Sequence, residues 1–189
     1  MVGHPGPQFD ILSASDRFAP VFSKGLVAVF ENRAVLPRFF GVPLSGIEVI
    51  PETAVQLARI KESTFDPQRN VVISERPSGA DSTAQGELHI RAEVFDYRGI
   101  NGYGVRLESD QPSVLVVSQM YYPGWRARID GSEIRVFPVD VALTGMVIPS
   151  GTHELRLSFQ PASFRIGLLI SLAALATTFL VGRGQKRAS

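Results

Sequence analysis

The chain has 189 residues, 19 of them basic and 18 acidic, with 44% hydrophobic and 20% charged residues. That is a globular composition, which excludes wholesale disorder and fibrous repeats, and a net charge of +1 offers no electrostatic footprint for nucleic acid. There is no cysteine, so disulfides, thiolate zinc sites, Fe–S clusters and cysteine nucleophiles are excluded together.

In chain order, residues 1–24 read as an N-terminal extended segment, and Met1–Gln8 carries no apolar run of the signal-peptide kind. Short strands begin at Leu26–Phe30, and Leu36–Val42 is a second extended piece. Pro51–Glu62 predicts one soluble helix, with Ala54, Leu57, Ala58 and Ile60 or Lys61 on one apolar stripe. Val71–Ser74 is a short apolar run, and the turn-rich loop Arg76–Gly86 follows it.

From Glu87 the pattern has period two. Leu88, Ile90, Ala92 and Val94 alternate with polar residues, as do Tyr103, Val105 and Leu107, then Trp125, Ala127 and Ile129, then Leu155, Leu157 and Phe159. Val114–Val117 is continuously apolar, as in a strand buried on both faces. The spacing predicts a mainly β fold: an antiparallel, jelly-roll-like β-sandwich over 25–162 with one short soluble helix.

The C-terminal stretch departs from this pattern. Residues 1–163 hold 15 basic and 18 acidic side chains, whereas the remainder has Arg165, Arg183, Lys186 and Arg187 and no acid. The 17 residues from Ile166 to Gly182 are uncharged. They predict a transmembrane helix over 164–182, extended by Phe164 and a snorkelling Arg165, with 183–189 as a basic cytoplasmic tail and the sandwich outside the cytoplasm. The expected partner is then the lipid bilayer. A C-terminal span without an export signal conflicts with that orientation. Either the chain is tail-anchored against the charge rule, or it is the last piece of a longer multi-spanning protein whose earlier helices, in the same or a neighbouring chain, are further partners. The second alternative fits better.

Ser118–Gly131 is the most distinctive segment. Pro123-Gly124 predicts a type II turn and Asp130-Gly131 a two-residue hairpin turn. Tyr121, Tyr122 and Trp125 have flat apolar faces and polar handles, and Arg126 and Asp130 can hydrogen-bond hydroxyls, so these five residues form a candidate glycan-binding platform. The competing reading makes Trp125 a core anchor, because it shares strand parity with Ala127 and Ile129.

The run from Val114 to Pro161, followed directly by Phe164–Leu175, resembles the C-terminal end of YfhO-type bacterial membrane proteins, large multi-spanning proteins similar to glycosyltransferases of the GT-C fold. Gly25–Val42 and Phe65–Ser74 resemble further segments of that family, so the likeness runs from about Phe9 onward. It implies participation in polyprenyl-phosphate-sugar-dependent glycosylation of cell-envelope polymers, with envelope polysaccharide or a lipid-linked sugar as partner. The family's catalytic acid lies among early helices with no counterpart here, so no catalytic residue is carried over and the expected role is non-catalytic. The alternative is a membrane-anchored structural or protein-interaction module without sugar chemistry.

Other chemistries find no support. His4, His89 and His153 lack metal-ligand spacing, and no metal or other cofactor is expected. Gly99–Gly104 lacks the Lys-Ser/Thr of a phosphate loop, and no serine lies in a G-x-S-x-G context. Arg126, Arg128 and Arg135 read as an anion-binding stripe or as a solvated strand face.

Overall fold

The structure, a computed structural model, describes residues 7–25, 27–80, 87–97 and 101–187, which fall into two units, Met1–Pro37 and Arg38–Ser189. In the first unit, helix α1 (Pro7–Ser13) precedes an antiparallel hairpin of β1 (Phe18–Lys24) and β2 (Val27–Asn32). Pro20 has no N–H to give to the ladder, and the register shifts between Pro20 and Phe22. The rings of Phe9 and Phe30 lie 5.4 Å apart, and Arg17 Nε donates to Asn32 Oδ1 at 3.1 Å. Leu26, where the first strand was expected to begin, lies outside the described residues.

The second unit is mainly β. One sheet has the order β10-β9-β13-β7-β6, formed by β6 (Ile90–Tyr97), β7 (Gly102–Ser109), β9 (Trp125–Ile129), β10 (Ser132–Ile134) and β13 (Gly151–Phe159). The other has the order β11-β12-β8-β3, formed by β3 (Phe39–Pro43), β8 (Ser113–Met120), β11 (Phe137–Val139) and β12 (Leu143–Ile148). Every pairing within both sheets is antiparallel.

One core joins the sheets. Tyr103, Val105 and Leu107, then Trp125, Ala127 and Ile129, then Leu155 and Leu157 come from the five-stranded sheet, and Phe39, Leu115, Val117, Met146 and Ile148 from the four-stranded one. These are the alternate side chains of each strand, as a half-buried pleated ladder requires. Val114 and Val116, on the opposite face of β8, are buried as well, and so are their register partners Val42 and Phe40. The alternation fails in β6, where Val94 is 43% exposed. This strand lies at the sheet edge, so Val94, although in register with the buried Val105, is covered by a neighbouring strand on one side only, and the register shifts just beyond it, between Val94 and Asp96.

A small βαβ unit follows β3. Strand β4 (Ile47–Val49) leads through α2 (Thr53–Ile60) to β5 (Val71–Ile73), and the two strands pair in parallel. The buried residue of α2 is Gln56, not the expected Leu57, which is 46% exposed. The Gln56 amide donates to the Ile50 carbonyl and to Ser74 Oγ, so hydrogen bonding selects the inward face of this helix over apolarity. The loop expected at 76–86 lies outside the described residues from 81 onward.

The uncharged C-terminal run is helical, within α3 (Ala162–Arg187), which continues past Gly182 through the basic residues. Among the described residues, however, no helix is long and apolar enough to cross a membrane. This overturns the transmembrane helix expected over 164–182. Seventeen uncharged residues give about 25 Å of helix against a hydrocarbon core of roughly 30 Å. Gly167, Ser171 and Thr177 also interrupt the apolar surface, and both hydroxyls turn back to helix carbonyls, Ser171 Oγ to Gly167 at 2.9 Å and Thr177 Oγ1 to Ala174 at 2.8 Å.

Candidate functional site

The turn from β8 into β9 is built as its residues dictate. Trp125 N–H donates to the Tyr122 carbonyl at 3.3 Å across Pro123-Gly124, and Gly124 has φ +123°, which an L side chain resists. Gln160 N–H donates to the Gly124 carbonyl at 2.7 Å, and Tyr121 N–H to the Ala142 carbonyl at 2.7 Å, so the turn is held by the chain following β13 and by the β11–β12 turn.

Trp125 points into the core and is 9% exposed. Its ring lies 5.2 Å from that of Phe159, which in turn lies 6.1 Å from Tyr122. Tyr122 is 60% exposed and Tyr121 half-buried, so the aromatic row runs from the core outward to solvent.

Arg126 faces outward from β9 and pairs with Glu133 of β10 at 2.9 Å. Asp130 sits at the far end of β9, with φ +50° in a two-residue turn completed by Gly131 at +85°, the conformation expected of an Asp-Gly hairpin. Its Oδ1 accepts Glu154 N–H at 2.9 Å and its Oδ2 lies 2.6 Å from His153 Nδ1. Those bonds, the Glu154 amide first and the imidazole second, lower the Asp130 pKa below the usual carboxylate value. His153 is raised above the ordinary imidazole value, by its Asp130 partner first and by the Ser150 carbonyl, 3.0 Å from Nε2, second.

The five residues expected to form one platform are therefore distributed. Tyr121 and Tyr122 mark one end of β9, Trp125 is inside, Arg126 faces out, and Asp130 is a strand length away, roughly 15 Å. Two constellations had no signal in the linear pattern. One is the Asp130–His153 pair, whose members are 23 residues apart and are brought together by the β9–β13 register. The other is Arg38, whose Nη2 donates to Tyr103 Oη and to Gln119 Oε1, the latter at 3.1 Å. Among the described residues no three His, Asp or Glu side chains gather as metal ligands.

Comparisons with known proteins follow the same strands. Residues 92–171 match the family described as bacterial membrane protein YfhO, a span running from β6 into α3. The chain is 26% identical over 152 residues to a protein described as uncharacterized protein YfhO from Bacillus subtilis (strain 168), an alignment covering 78% of this chain and 16% of that protein. The chain thus spans less than one fifth of the length of that relative. No solved structure matches. The two matches agree, and the chain is similar to bacterial membrane proteins of the YfhO type.

Proposed function

We propose that this β-sandwich is a non-catalytic accessory domain of a YfhO-type membrane protein, placed outside the cytoplasm. There it holds or orients a glycan acceptor during polyprenyl-phosphate-sugar-dependent glycosylation of cell-envelope polymers. Its partners are the membrane helices of the same protein and the envelope polysaccharide or lipid-linked sugar. The observation that carries this reading is Tyr122, an exposed ring backed by Phe159 and Trp125 on a turn inside the family-matched segment. A flat, rigidly supported aromatic face is what a sugar ring stacks on.

The test replaces Tyr121 and Tyr122 by alanine in the YfhO-type protein that carries this domain. Glycan incorporation into envelope polymer should fall while the amount of protein in the membrane fraction holds. Full incorporation by the double variant would remove the platform. A second reading, a structural or protein-interaction module, draws on the internal pairing of Arg126 with Glu133 and of Asp130 with His153, and that outcome would leave it standing.

Placement has its own test. The chain contains no cysteine, so Ser132→Cys at the exposed start of β10 introduces a single thiol. A membrane-impermeant thiol reagent should label it in intact cells, and labelling only after lysis would refute the extracytoplasmic placement.

A further inference from the structure

Arg38 immediately precedes β3, at the end of the sandwich where β8 finishes and β7 begins. Its guanidinium carbon lies 4.8 Å from the centroid of the Tyr103 ring, and Nη2 donates to both Tyr103 Oη and Gln119 Oε1. A ring face and two acceptors therefore hold the side chain in one place. Among the described residues no carboxylate lies within ion-pair distance of this cation, in contrast to Arg59, which is forked onto Glu48 at 2.7 and 2.8 Å.

The hydrogen-bond inventory of this group is one-sided. Tyr103 is 3% exposed, and its oxygen accepts from Arg38, yet its own hydroxyl hydrogen has no acceptor among the described residues. Gln119 uses its carbonyl on the same guanidinium, which leaves the two amide hydrogens free to donate. Arg38 retains the donors on Nε and Nη1. Three side chains, from β7, from β8 and from the residue that leads into β3, thus present donors and one positive charge, with their acceptor capacity already turned toward Arg38. A site that only donates is satisfied by an anion. Donors on three separate side chains suit an oxyanion with several oxygens better than a flat carboxylate, which a guanidinium fork satisfies alone. Beside it, the Tyr97 ring lies 5.5 Å from Tyr103 and is 66% exposed, leaving a flat apolar face next to the charge.

We infer that Arg38, Tyr103 and Gln119 form a binding site for a phosphate group, with Tyr97 contacting whatever the phosphate is attached to. The site shares no residue with the Tyr121–Asp130 platform and does not rest on the glycosylation reading, so either can fail alone.

The test uses the whole 189-residue chain in an uncharged detergent. Inorganic phosphate is titrated by calorimetry, with acetate as the carboxylate control, and flotation compares phosphatidylcholine vesicles with vesicles of phosphatidylcholine and phosphatidylglycerol in equal parts. Saturable phosphate binding is expected, with acetate weaker by about tenfold. Flotation selective for the phosphatidylglycerol vesicles assigns the phosphate to a lipid headgroup, and its absence assigns it to a soluble phosphate compound. Gln119→Glu is the decisive variant. It replaces the donating amide by a carboxylate that pairs with Arg38, so the melting temperature should hold or rise while phosphate binding drops about tenfold or more. Tyr103→Phe keeps the ring under Arg38 and should also weaken binding. Gln119→Glu binding phosphate as well as the parent, acetate matching phosphate, or no phosphate binding by the parent at millimolar concentrations would each overturn the assignment.

Discussion

Asp140 and Val72 are joined by two reciprocal hydrogen bonds. Asp140 N–H donates to the Val72 carbonyl at 2.8 Å, and Val72 N–H donates to Asp140 Oδ1 at 2.8 Å. The bonds tie β5 to the turn between β11 and β12, where Asp140 has φ +48° and Val141 φ +70°. Ala142 N–H closes back onto the Asp140 carbonyl at 2.8 Å around Val141, a tight turn that a β-branched residue adopts only under tertiary constraint. Ala142 in turn accepts Tyr121 N–H, so this anchor extends to the aromatic turn.

The first prediction follows from that anchor. Burial raises the Asp140 pKa from 3.8 to about 6, against the Val72 hydrogen bond, which lowers it, and with the nearby charge of Glu48 adding to the rise. The folded chain therefore holds this proton more tightly than the unfolded one, and the stability it contributes, on the order of 2 kcal/mol, is present below about pH 4 and lost as pH rises through about 6. Asp140→Asn stays neutral and keeps an acceptor for Val72. Denaturant unfolding should show the variant matching the parent near pH 4 and exceeding it at pH 7. A variant less stable than the parent at both pH values would contradict this account.

The Asp130–His153 pair has the opposite ends to its window. The depressed Asp130 contributes stability above its unfolded pKa, lost as pH falls through its folded value. The raised His153 contributes below its unfolded pKa, lost as pH rises through its folded value. Both contributions are complete only between those unfolded values, 3.8 and 6.5. Titration of the His153 ring followed by NMR should give a midpoint above 6.5 in the parent and a lower one in Asp130→Asn. Equal midpoints would show that the pair does not persist in solution.

Trp125→Ala and Tyr122→Ala should separate sharply in thermal or urea melts. The first empties a core position and should cost roughly 3–5 kcal/mol. The second removes an exposed ring whose loss is expected to cost about 1 kcal/mol, the contact with Phe159. Comparable losses from both would mean that Tyr122 is part of the core.

Two glycines test the backbone. A side chain on Gly102 would run into the Leu157 carbonyl oxygen of the paired strand β13, so Gly102→Ala should cost roughly 2–4 kcal/mol. Gly131 has open space around it and only its φ of +85° to resist substitution, so Gly131→Ala should cost about 1 kcal/mol. Chemical denaturation of the two variants would show the order, and a reversed order would mean that β7 and β13 are not packed this closely.

Alternation along Tyr103–Leu107, Trp125–Ile129 and Leu155–Phe159 specified which side chains face inward, because a pleated strand in a two-layer fold has one dry face whatever its neighbours are. Pro123-Gly124 and Asp130-Gly131 specified their turns, because φ preference is local. Gln56 could not be recognised as the buried residue of α2, since its inward position depends on the Ile50 carbonyl and Ser74. The exposure of Val94 depends on β6 being the edge strand of its sheet, paired with β7 alone. The helical character of the C-terminal run was legible, but its capacity to cross a membrane depends on length and apolar continuity, and no described helix meets that requirement. The Asp130–His153 pair and the Arg38–Tyr103–Gln119 cluster join residues 23 to 81 positions apart. Strand register creates those contacts, and register is set by the cooperative packing of two sheets on one core, a property of the assembled chain and not of any segment within it.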